Sequence, residues 1–158
     1  MDDITFKVNK DLEYINGEIT YNNNEFVFES NSVKGEFSLM LGRGYCELSI
    51  TRVNSRINSF GGINIKEDWI SNDLVFPSNI KGELHFISST TDINSYDGTW
   101  YVENWNTYYD EKNNYICMGD CDTNSEDIIA VEFCKNIIAV TERGNLRSIW
   151  IRNINFKS

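Results

Sequence analysis

The sequence predicts a mainly β protein, an antiparallel β-sandwich or a strongly curved sheet, on three observations. Apolar residues take alternate positions in four early segments, short glycine and asparagine turn signals separate the segments, and the last third holds three closely spaced apolar runs. At 158 residues the chain fits a single domain, 1–158, able to bury about two thirds of its unfolded surface without a disulfide or metal.

The alternating segments are Phe26 and Phe28; Phe37, Leu39 and Leu41; Cys46, Leu48 and Ile50; and Leu84 and Phe86. Glu25, Glu29, Glu36, Ser38, Glu47, Ser49, Glu83 and His85 stand beside or between them, the pattern of a sheet with one wet face. Asn22-Asn23-Asn24, Gly42-Arg43-Gly44, Gly61-Gly62, Asn113-Asn114 and Glu142-Arg143-Gly144-Asn145 are turn signals, because glycine and asparagine accommodate positive φ. Residues 67–75 are the one stretch whose pattern admits a short helix. Pro77, the single proline, marks a loop between two groups of strands. A further strand over 97–105 would set Trp100 and Val102 on one face and Tyr101, Glu103 and Trp105 on the other, with the second set exposed. The runs 128–133, 136–140 and 146–151 are apolar on both alternating sets, as in central strands covered on both sides, and their short connections predict a three-strand meander.

Charge is distributed unevenly. The chain has 24 acids, 14 bases and a net charge of −10, yet residues 92–132 alone hold ten carboxylates against one base, Lys112. Such a segment attracts lysine and arginine and repels phosphate, so direct nucleic-acid binding is not expected. Arg143, Arg147, Arg152 and Lys157 form a basic tail read as solvated hairpin ends. Seven aromatics run through the acidic segment, a composition that suits docking: acids steer a basic partner and aromatics anchor it. The expected partner-binding residues are Asp97, Tyr101, Glu103, Trp105, Tyr108, Tyr109, Asp110, Glu111, Asp120 and Asp122.

Catalytic constellations do not stand out. The single histidine, His85, has no serine or cysteine partner nearby in sequence, and 24 acids leave no pair singled out for acid–base work. Asp120, Asp122 and Asn124 alternate like the start of a calcium loop, but Ser125 replaces the turn glycine and Val131 stands where the bidentate glutamate belongs. Cys117 and Cys121 lack a second close pair for zinc. The expectation is therefore no catalytic residue, metal or cofactor. The acidic start, Met1-Asp2-Asp3, carries no export signal and no run is long enough to span a membrane, which predicts a cytoplasmic protein, a monomer in the simplest case, with reduced cysteines.

Tyr115-Ile116-Cys117-Met118-Gly119-Asp120, Val131-Glu132-Phe133, Asn136-Ile137-Ile138-Ala139-Val140 and Gly144-Asn145-Leu146-Arg147-Ser148-Ile149-Trp150-Ile151 together resemble the ending of small bacterial proteins of the toxin-immunity type. The resemblance implies a soluble cytosolic protein that binds a basic toxin domain, often a nuclease, and blocks its active site or substrate groove without catalysis. It transfers no functional residue by motif. Alternatives are a carbohydrate-binding module that stacks sugars on the exposed tryptophan and tyrosine, and a phage-type inhibitor that imitates the charge of DNA.

Overall fold

In the computed structural model, which describes residues 4–10, 13–43, 45–89 and 93–158, the alternating segments pair into two mixed sheets that pack together as a β-sandwich. Gly44 and Asp92, at the edges of two features read from the sequence, lie outside the described residues. Fifteen strands form among those described: β1 (Ile4–Lys10), β2 (Ile19–Asn22), β3 (Val27–Ser30), β4 (Phe37–Leu41), β5 (Tyr45–Ile50), β6 (Ile57–Ile63), β7 (Ile70–Ser71) and β8 (Ile80–Ser88). They continue as β9 (Thr99–Val102), β10 (Thr107–Asp110), β11 (Tyr115–Gly119), β12 (Ile128–Cys134), β13 (Ile137–Glu142), β14 (Asn145–Arg152) and β15 (Asn155–Lys157). No helix among the described residues is long and apolar enough to cross a membrane.

One sheet has the order β1-β8-β12-β13-β14-β11-β10-β7 and the other β15-β2-β3-β6-β5-β4-β9. Most ladders are antiparallel, but β8 with β12, β7 with β10, β2 with β15 and β4 with β9 run parallel. These joins are short, and each seats a strand brought back from a distant part of the chain. The predicted meander is present as β12-β13-β14.

The inner core is what the alternation encodes. Phe28, Phe37, Leu39, Leu41, Cys46, Leu48 and Ile50 from one sheet meet Phe86, Ile116, Val131, Phe133, Ile137, Ile149 and Ile151 from the other, all buried. Phe26 does not join them: it sits in the turn after β2 at φ 60°, its N–H given to the Asn22 carbonyl, and its side chain is exposed. The second apolar set of the meander, Ala130, Ile138, Val140 and Trp150, packs with Cys117 and Leu74 in an outer core, against which Phe76 also lies. Trp150 is wholly buried; Phe76 meets its ring edge-on at 5.4 Å, and its Nε1–H is donated to Ser148 Oγ.

That outer cover explains why no helix spans 67–75. A single 3-10 turn, Lys66–Asp68, is followed by extended chain. Ile70 and Ser71 pair with Tyr108 and Tyr109, the Leu74 N–H is donated to Asp110, and Pro77 disfavours helical backbone at Phe76. Extended backbone sends Trp69 to the inner core and Leu74 with Phe76 to the outer one, a division that one helical face would not allow.

Candidate functional site

The expected strand over 97–105 ends at Val102, so its alternation does not carry through to Trp105. Tyr101 turns inward: its ring meets Phe6 edge-on at 5.2 Å, and its hydroxyl accepts the N–H of Leu146 at 3.0 Å. The exposed row of Tyr101, Glu103 and Trp105 is thus not formed. Trp100 lies beside the exposed Tyr45, ring centroids 6.0 Å apart, while Trp105 arrives from the 103–106 connection and packs partly on the inner core.

Trp105 is one wall of a pocket of about 150 Å³ that sits where β5 begins and β6 ends. Tyr45 and Ile63, opposite each other in the β5–β6 register, form the rim with Ile65, and Trp69 forms the other wall. Tyr45 is 63% exposed, Ile63 43% and Ile65 42%. Large apolar side chains gathered at the mouth of a cavity mark an interaction surface more than scattered ones do.

Hydrogen bonds from Asn64 and Tyr21 brace the pocket floor. Asn64 is buried; its Nδ2 donates to Thr107 Oγ1 at 2.8 Å and its Oδ1 accepts the Trp69 Nε1–H at 2.9 Å. Tyr21 braces the backbone, donating to the Asn64 carbonyl at 2.6 Å and accepting the Lys66 N–H at 3.0 Å. Burial pushes the Tyr21 phenol up, so it stays protonated in that role. Trp69 stacks on Phe28, planes 5° apart, and meets Tyr109 edge-on.

Trp105 is backed by Gly119, which stands at φ 105°. A side-chain carbon there would fall 2.5 Å from the Arg147 carbonyl oxygen and 3.1 Å from the Trp105 ring, so only glycine lets β11 pass this close. The Gly119 N–H donates to the Asn106 carbonyl at 3.0 Å, tying the 103–106 connection to β11.

The other expected residues divide into groups. Asp68 lines the pocket and Glu103 is exposed two residues before Trp105. Glu111 is exposed with Asp73 and Lys112 around a shallow depression beside the β7–β10 edge. Asp110 is buried there, its carboxylate accepting the Leu74 N–H, the Asn113 N–H and the Asn113 side-chain amide. These donors, Leu74 first, hold it below the usual carboxylate range. It organises the turn and is not a surface charge. Tyr109 packs on Trp69 and Phe156 inside the sandwich, and Tyr108 packs on the outer core. Asp97 is exposed and accepts the Ser38 N–H, which docks the start of β9 on β4.

The basic tail comes back onto the acidic segment. Arg147 pairs with both Asp120 and Glu142, Arg143 with Asp127 at 2.6 Å, and Arg152 with the buried Glu132 at 3.0 Å. Asp120 is therefore neutralised, and Asp122 is exposed with its carboxylate capping the Asn124 N–H. Acids left toward solvent are Asp68 in the pocket lining, Glu67 and Glu103 close in sequence to pocket segments, and Asp73 and Glu111 at the β7–β10 depression. Three of these, together with Tyr45, Ile63, Ile65 and Trp69, lie outside the segment on which the sequence reading concentrated. The signal available in sequence was Glu67-Asp68-Trp69, acids abutting a tryptophan at the head of the stretch read as a possible short helix.

His85 is structurally engaged: Nε2 lies 2.7 Å from Glu83, which also pairs with Arg56, and Nδ1 lies 2.9 Å from the Asn54 carbonyl oxygen. Among the described residues no three His, Cys, Asp or Glu side chains gather as a metal site. Compared with models of known protein families and with curated proteins, the sequence has no significant match.

Proposed function

We propose that this chain is a protein-binding domain of the toxin-immunity type, acting in the cytoplasm as a monomer. It docks a basic toxin domain, a nuclease by preference, and blocks that domain's active site or substrate groove. The observation that carries the reading is the preformed pocket of Tyr45, Trp69 and Trp105 with exposed Ile63 and Ile65 at its mouth and Asp68 in its lining. A preformed aromatic pocket takes an anchoring side chain at little entropic cost; Arg43 lines it as well as Asp68, so the pull on a partner's lysine or arginine comes from Asp68 together with the exposed Glu67 and Glu103.

The fit is also one of scale. A standard interface covers about 800 Å² per partner, roughly a tenth of the 8305 Å² of accessible surface, so the docking face would extend beyond the pocket to its rim and the β7–β10 edge. Blocking needs no catalytic group. The pairing of Arg143, Arg147 and Arg152 with acids leaves them poor competitors for nucleic acid, which suits an inhibitor that must not bind its target's substrate.

The test takes the product of the neighbouring gene, expected to carry a basic toxin domain, and titrates it with the purified protein, following toxin activity. Activity should fall linearly to an equivalence point at one to one. A toxin that binds the chain yet stays active would overturn blocking, and absence of binding would overturn the assignment. A sugar-binding reading draws on the same tryptophan walls with Asn106 and Asp68 nearby. Saturation-transfer NMR showing oligosaccharide protons against Trp105 would favour it.

A further inference from the structure

The outward side of the sheet that holds β5 and β6 continues past the rim of the docking pocket. Tyr45 stands opposite Ile63, and Ile63 opposite Val27; in the next outward-facing row Glu47 is opposite Gly61, and the pairing of Phe28 with Gly62 brings Glu29 to the other flank of Gly61. Phe28, Leu48 and Phe60, which alternate with these residues, are buried in the inner core, so both carboxylates project outward. The middle position of that row has no side chain. Glu29, Gly61 and Glu47 border a cavity of about 330 Å³, with Ser59 at the next outward position on β6.

This cavity is built as more than a row of solvated acids. Neither carboxylate has a hydrogen-bond or ion-pair partner among the described residues. Ser59 is 4% exposed, and its Oγ, turned into the cavity, has no partner among the described residues either, although buried polar groups are as a rule hydrogen-bonded. Gly61 keeps the gap open: a Cβ there would meet the Phe28 carbonyl oxygen at 3.0 Å and stand between the two acids.

We infer that this saddle is a guanidinium site, filled by an arginine of the partner docked at Tyr45 and Ile63. Neighbouring strands lie about 4.8 Å apart, which puts the Glu29 and Glu47 backbones about 10 Å apart across Gly61. A planar guanidinium laid over the glycine presents N–H donors on opposite edges, one edge to each carboxylate, and leaves an N–H for Ser59 Oγ; an ammonium is a point charge without that fork. Lys34 is also in the lining, exposed and paired with neither acid. Its charge weakens the general pull on cations, so binding depends on direct contact with the two carboxylates. A sugar finds no stacking surface here, because Phe28 and Phe60 belong to the inner core.

The occupant rests on the docking function proposed above; the guanidinium site itself does not. Successive outward residues of a strand are about 7 Å apart, so the Tyr45–Ile63 rim and the saddle fit an apolar anchor and an arginine two positions apart in one extended segment.

The experiment titrates the isotopically labelled full chain with ethylguanidinium and, separately, with ethylammonium at constant ionic strength, following amide shifts by NMR. The expected result is saturable shifts at Ser59, Gly61 and Gly62, several-fold tighter with ethylguanidinium, and lost in the Glu29→Gln, Glu47→Gln double variant, which should melt as wild type because neither acid has a partner to lose. Lys34→Gln should bind ethylguanidinium more tightly than wild type. Shifts that do not saturate, an equal response to the two cations, or a double variant that binds as wild type would overturn the site. Against the basic toxin partner the double variant should bind about tenfold more weakly, and equal affinity would overturn the arginine's part in docking. A toxin that neither protein binds would overturn the docking function, and this occupant with it, while the small-cation titration still decides the site.

Discussion

Tyr101→Phe removes one oxygen atom and tests whether this residue is structural. In the folded protein that oxygen accepts the N–H of Leu146 at 3.0 Å, beside the point where the β13–β14 register slips by one residue. Leu146 is 3% exposed, so water does not readily replace the lost acceptor, and leaving a buried N–H unpaired costs about 1 to 2 kcal/mol. For a protein of this size that lowers the unfolding midpoint by about 3 to 6 °C. The ring and its edge-on contact with Phe6 remain in the variant. Tyr101→Ala removes them too, and its cost should rise to about 3 to 5 kcal/mol. Guanidinium unfolding by tryptophan fluorescence measures both, with an unchanged denaturant slope showing that stability alone has moved. Partner affinity of folded Tyr101→Phe should equal wild type. A variant as stable as wild type that binds more weakly would return Tyr101 to the interface and refute the reasoning.

Further outcomes follow from the charged groups. Asp110 is held below the ordinary carboxylate range by the Leu74 and Asn113 donors; its stabilising contribution is full above the unfolded value of about 4 and is lost as pH falls through the lower folded value. Asp110→Asn should therefore be less stable at neutral pH and lose less on acidification below about pH 4, as thermal melts across that range would show; parallel curves would contradict it. Glu132→Ala breaks the pair with Arg152 and frees the Asn136 N–H, held at 2.7 Å. Its cost should be about 2 to 3 kcal/mol in denaturant unfolding, below that of a fully buried pair because the Arg152 side chain keeps 30% exposure; no measurable loss would remove this pair from the account. Asp68→Asn combined with Glu111→Gln should slow partner association several-fold at low salt and converge with wild type at about 0.5 M, where the screening length is only a few ångströms. Stopped-flow rates with equal salt slopes would rule out steering by these acids.

The strands were legible where one face is wet. Phe37, Leu39 and Leu41, or Cys46, Leu48 and Ile50, alternate because a pleated strand sends successive side chains to opposite sides, and both sets are buried as read. The three final runs were legible as doubly covered strands, but what covers them was not. The lid is the irregular stretch around Leu74 and Phe76, whose role depends on Asp110 thirty-six residues onward. Charge misled for a similar reason. Residues 92–132 read as a free acidic segment, yet antiparallel pairing of β14 with β11 and β13 brings Arg147 to Asp120 and Glu142, and no local pattern announces a contact made across a ladder. The pocket was half visible: Trp105, which lines it, was among the residues singled out, whereas Tyr45 sits at the head of a strand whose alternation concerns Cys46 and Leu48, and nothing in its own neighbourhood shows that Ile63 and Trp69 converge on it.

Tyr45→Ala tests the docking pocket most directly, because a side chain 63% exposed contributes little to folding and much to any interface formed there. Thermal unfolding should shift by no more than about 0.5 kcal/mol in stability, while calorimetric affinity for the basic toxin partner should weaken by about 2 kcal/mol, roughly thirty-fold. A folded Tyr45→Ala protein that binds and inhibits that partner as tightly as wild type would contradict the account.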